Sequence, residues 1–163
     1  MKKNVLKYFT LVITLVAASL VFFHWFTVSI PGLEPEGHSF VTIPDLLEDA
    51  AGMVSGYAGK STAVMIILLG GILEYMCVLS AGLSVCGIWK NCIRGRKSRF
   101  IFSGQVIALC LHFLAALVMV GANVLVNSII GISNLIMPTI WYILSVVFSV
   151  GALICLRFLN KEL

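Results

Sequence analysis

Four long apolar runs dominate the chain, and nearly all polar residues gather between them. The runs extend from Tyr8 to Ile30, Ala63 to Trp89, Phe100 to Val126 and Leu135 to Leu156. About 20 apolar residues suffice for an α-helix to cross the hydrocarbon core of a bilayer. The runs are continuous rather than alternating, which selects helices over a β-barrel. The expected architecture is all-α: one integral membrane domain over residues 1–163, a bundle of four transmembrane helices at about 8–30, 63–89, 100–126 and 135–156. A cleavable signal peptide competes for the first run, because Ala17-Ala18-Ser19 offers small residues after a basic start. Cleavage there would leave Leu20-Val21-Phe22-Phe23 as an apolar new terminus, so a retained helix is the better reading.

Between the first two runs, residues 31–62 form the one substantial polar segment. Pro31, Gly32, Pro35 and Gly37 make its first part irregular. Thr42-Ile43-Pro44-Asp45 then reads as the start of a helix, with a proline in the first turn and acids near the N-terminus. Leu46, Leu47, Ala50, Ala51 and Val54 would give that short helix one apolar face. Residues 90–99 make a tight basic connection, and 127–134 a short turn.

Charge gives these segments a direction. Lys2, Lys3, Lys7, Lys90, Arg94, Arg96, Lys97, Arg99, Arg157 and Lys161 fall on one side of the expected bundle, and of the 11 basic residues only Lys60 lies opposite. The positive-inside rule makes the basic side cytoplasmic, with both termini inside. The segment 31–62 is then outer and carries Glu34, Glu36, Asp45, Glu48 and Asp49. Phe22, Phe23, Trp25, Phe26 and Trp141 near the outer boundary, and Trp89 and Phe100 near the inner one, read as interface anchors.

Composition agrees. The chain is 60% hydrophobic and 11% charged, with a mean hydropathy of +1.07, whereas soluble domains carry about 25% charged residues. No basic cluster interleaved with aromatics suggests a nucleic-acid partner. None of the five cysteines (77, 86, 92, 110 and 155) lies in an outer segment, which excludes a disulfide-stapled outer domain. Glu34, Glu36 and His38 alternate on the outer segment, but no fourth ligand is positioned, so a solvated acidic loop is preferred to a metal site. Neither GxSxG nor a Walker, zinc-protease, dinucleotide or haem motif occurs, so no catalytic residue and no cofactor is assigned.

Two ionisable residues lie inside the expected spans. Glu74 sits near the middle of the second, where a charge costs at least about 2.5–3.5 kcal/mol. Gly70, Glu74, Cys77, Ala81 and Ser84 recur at helical spacing, a small or polar stripe on which another helix can pack closely. In the third span Gly104, Ala108, His112, Ala115, Met119 and Ala122 repeat the pattern. Glu74 and His112 have similar estimated depths on antiparallel neighbours, so a pair across the seam is expected. Such a pair serves either as interhelical packing or as a proton relay. Ser80, Ser84 and Gln105 extend the polar trail inward, and Asn123 extends it outward.

The layout of cytoplasmic termini, a longer first outer loop, a tight inner loop and a short second outer loop resembles claudins and other small four-span proteins in topology. The tryptophan, GLW and paired cysteines that claudins carry in the first outer loop are absent here. Layout is not function. The expectation is a non-enzymatic accessory or interaction component of the cell membrane, in contact with lipid and with a membrane-protein partner or further copies of itself. The alternative is a small proton- or ion-coupled transporter built on Glu74 and His112.

Overall fold

The computed structural model describes residues 2–29, 34–38, 60–131 and 136–162. The chain is mostly helical. Among the described residues there are four α-helices, α1 (Lys2–Leu20), α2 (Lys60–Ile88), α3 (Phe100–Ile130) and α4 (Ile140–Glu162), and three short strands, β1 (Phe26–Val28), β2 (Glu36–His38) and β3 (Ile136–Pro138). The stretches Gly71–Ile93, Phe100–Gly121 and Ile140–Lys161 are long and apolar enough to cross a membrane. The apolar part of the first helix, Asn4–Leu20, is shorter.

The first run is therefore not helical to Ile30, as expected from its length. The helix stops at Leu20, and a tight turn follows, with Phe22 N–H donating to Ser19 O (3.1 Å) and Phe23 N–H to Leu20 O (3.2 Å). The residues beyond, from Val21 to Val28, are almost all β-branched or aromatic and favour extended backbone. A continuous apolar run does not distinguish the two conformations by itself. What fixes the strand is the availability of partners on both edges.

β1 is the centre of a three-stranded antiparallel sheet in the order β2-β1-β3. Thr27 lies opposite Gly37 on one side and Met137 on the other. The sheet joins a piece of the expected outer loop, β2, to residues expected inside the first and fourth spans, β1 and β3. The fourth run loses its first residues to it: helix α4 begins at Ile140, not Leu135. Thr139 marks that start, its hydroxyl accepting from Tyr142 N–H (3.4 Å) and donating to His24 O.

At the opposite, basic end, α2 passes into a π-helical turn, Trp89–Ile93, so part of the expected 90–99 loop is helical. The short amphipathic helix expected near residues 44–54 lies outside the described residues.

α1 packs chiefly on α4, and α2 on α3. One buried cluster, near the sheet, gathers Val21, Trp25, Phe26, Leu73, Cys77, Ala108, Leu111, Ala115 and Met119. A second, near the basic end, gathers Ile88, Cys92, Ile101, Leu156 and Leu159. Large apolar side chains such as Phe113, Val120, Val147 and Phe158 point outward on the long helices. Such a surface suits lipid as its solvent.

Candidate functional site

The seam between α2 and α3 is built on close backbone approach. Gly104 faces Ser80 and Ser84; a Cβ placed on it would lie 2.5 Å from Ser84 Oγ and 2.6 Å from Ser80 O. Gly87 meets Ile101 in the same way. The closeness allows side chains to bond across helices. Ser80 Oγ–H donates to Gly104 O (2.7 Å), Ser84 Oγ–H to Ser80 O (2.9 Å), and Gln105 Nε2–H to Ser84 Oγ (2.8 Å). All three side chains are buried. Ser80, Ser84 and Gln105 thus form one polar joint between the helices, with Gln105 Oε1 left unpartnered.

Nearer the sheet, His112 occupies an aromatic box. Its ring stacks on Trp25, with centroids 3.9 Å apart and planes at 25°. Tyr142 lies 5.4 Å away between centroids and donates its hydroxyl proton to the His112 carbonyl (2.9 Å). His112 Nδ1 is 2.6 Å from Ala108 O. A carbonyl can only accept, so Nδ1 carries a proton. Nε2 is buried without a hydrogen bond. Trp25 is fully buried and donates Nε1–H to Leu20 O (2.9 Å), so it is a core plug rather than the interface anchor expected from its position. Phe22, Phe23 and Trp141 do stay exposed at that end, with Phe23 and Trp141 in contact (4.9 Å).

Glu74 is elsewhere. The antiparallel register that sets Ser80 against Gly104 brings position 74 level with positions near 110, so the expected depth was sound. The face was not. Among the residues of α2 whose burial is described, the buried ones are Leu73, Cys77, Ser80, Ser84, Gly87 and Ile88. At about 100° per residue, that seam is turned about 50° from the stripe drawn through Gly70, Glu74, Cys77, Ala81 and Ser84. The turn carries Glu74 out of the seam and leaves it exposed. No hydrogen bond or ion pair joins it to His112, whose neighbours are Trp25, Tyr142 and Ala108. The expected Glu74–His112 pair is not formed, and the proton relay that rested on it loses its geometry.

Glu74 instead borders the outward face of α2. Gly71, Tyr75, Val78, Gly82 and Cys86 are all exposed there. A Cβ added to Gly71 or Gly82 would meet nothing within 4 Å.

Asn123 has a different role from the polar trail assigned to it. Its Nδ2–H donates to Ile136 O (2.7 Å) and its Oδ1 accepts from Ile136 N–H (2.9 Å). A side-chain amide bonded both ways to one residue acts as an extra strand on the edge of β3. The sequence offers no signal for this, because the strand it serves is hidden in an apolar run.

Among the described residues no group of three His, Cys, Asp or Glu could hold a metal ion. No protein-family model, curated protein or solved structure matches this chain.

Proposed function

We propose that this chain is a non-enzymatic accessory protein of the cell membrane. It crosses four times, keeps both termini in the cytoplasm, and docks a helix of another membrane protein on the outward face of α2. The reading rests on one observation: Glu74 is an exposed carboxyl on an apolar helix, near the middle of the apolar run Ala63–Trp89. Left facing lipid it costs at least about 2.5–3.5 kcal/mol, and a partner that bonds to it recovers part of that cost. The open glycines at 71 and 82 on the same face let a helix backbone approach closely.

The partner's chemistry follows from the carboxyl: a helix with a cation or a strong hydrogen-bond donor at matching depth. A second copy of this chain supplies no cation there; the donor it brings to this depth is the exposed Tyr75 hydroxyl on the same face, which makes a homodimer the competing outcome of the test. No Lys or Arg occurs between Ala63 and Trp89, Phe100 and Val126, or Leu135 and Leu156, and His112 is buried.

A photo-crosslinking residue at Val78 or Gly82, in native membranes, tests the reading. The expected adduct is with one other membrane protein that carries a polar or basic residue in a span. It should vanish in Glu74→Leu and return in Glu74→Asp. Adducts with lipid or with the same chain alone, or a protein adduct indifferent to Glu74→Leu, would refute it.

A further inference from the structure

We propose that the cleft between the start of α3 and the end of α4 binds an anionic glycerophospholipid, whose phosphate is held by Arg99 and Arg157. The cleft encloses about 660 Å³, and Phe102, Leu153 and Ile154 form its apolar wall. Each arginine has an exposed apolar residue three positions away on its own chain: Phe102 follows Arg99, and Ile154 precedes Arg157. Residues three apart share a helix face, and at about 1.5 Å per residue the apolar partner lies about 4.5 Å deeper along the helix. Because α3 enters and α4 leaves at the same basic end, the two pairs stand side by side with the same polarity. A charged rim above an apolar wall is the outline of a headgroup above an acyl chain. A free phosphate would have no use for the wall.

Two further observations favour an anion here. Among the described residues neither Arg99 nor Arg157 enters an ion pair, and a guanidinium can hold a phosphate through two parallel hydrogen bonds. The back of the cleft is also braced. Fully buried Asn91 accepts from the Ser98 hydroxyl and donates to Ser98 O (3.3 Å) and Asn160 Oδ1 (3.4 Å), tying the end of α2 to both walls. Arginines at a helix end also lie at a membrane surface with no specific ligand, reaching toward the headgroups along their own stems. A lipid site differs from that in its dependence on the apolar wall and on these two arginines rather than their neighbours.

The test is retention of phosphatidylglycerol over phosphatidylcholine by the full chain, read by native mass spectrometry from mixed nanodiscs. A charge-assisted hydrogen bond from an arginine to a phosphate is worth on the order of tenfold in affinity, so R99Q/R157Q should lower the preference about a hundredfold. R96Q/K97Q, which removes the same charge from the exposed loop, should leave it unchanged. Ile154→Trp should lose it although both guanidiniums remain. R99K/R157K controls for folding and should keep part of it. An equal loss in R99Q/R157Q and R96Q/K97Q, an intact preference in Ile154→Trp, or displacement of the lipid by inorganic phosphate alone would each overturn the proposal.

Discussion

Replacing Gly104 with alanine is the most direct probe of the α2–α3 seam. The added methyl would sit 2.5 Å from Ser84 Oγ, 2.6 Å from Ser80 O and 2.9 Å from Ser84 N. Two of those atoms are backbone, so relief requires the helices to separate rather than a side chain to turn. Overpacking of this kind costs about 1–3 kcal/mol. Separation also stretches the Ser80–Gly104 bond, and interhelical bonds in membranes average about 0.6 kcal/mol. Gly121, on the same helix, has nothing within 4 Å of its would-be Cβ. Both substitutions gain alanine's helix preference, about 0.8–1.0 kcal/mol, which cancels between them. Gly104→Ala should therefore fall about 1.5–3.5 kcal/mol below Gly121→Ala. Unfolding in mixed micelles by titration with a denaturing detergent, followed by helical circular dichroism, measures the gap. Equal midpoints for the two variants would show that the seam is not held at this distance, and the account of Ser80, Ser84 and Gln105 as one joint would fail with it.

Two other outcomes follow from the site geometry. Asn123→Leu removes both bonds to Ile136 and strands a backbone donor and acceptor, at a cost of about 1–3 kcal/mol; amide exchange at Ile136 should accelerate, and unchanged exchange would mean that β1 alone holds β3. His112→Phe keeps a ring against Trp25 and removes an unpartnered nitrogen, so it should stay within about 1 kcal/mol of the parent, whereas His112→Ala opens a cavity and should lose about 2–4 kcal/mol. Equal losses in those two variants would show that the imidazole contributes more than its shape.

The membrane character was legible in the chain because it depends on composition and run length, which no packing arrangement alters. The three stretches long enough to cross a membrane each overlap a run marked out by apolar continuity alone, although two of them continue past its basic-side end, to Ile93 and to Lys161. The small-residue stripe of α3 was equally readable: Gly104, Ala108, His112, Ala115 and Met119 are all buried, because a 3.6-residue period with small side chains leaves one face for a neighbour. On α2 the same reasoning fell about half a residue step short. A stripe read from spacing fixes a face only to within the width of a side chain, and in a helix that is apolar all round nothing polar marks its edge. Glu74 lay on that edge.

Only the tertiary structure could decide the end of the first run and the start of the fourth. Phe26–Val28 and Ile136–Pro138 lie in runs as apolar as those that form helices. What makes them strands is that each supplies the other's missing backbone bonds across more than a hundred residues of sequence. The same long-range closure buries Trp25 over His112 and gives Asn123 an edge to hold. Local sequence sets what a segment can become in lipid. Which unsatisfied backbone meets which is settled only when the distant segments are brought together.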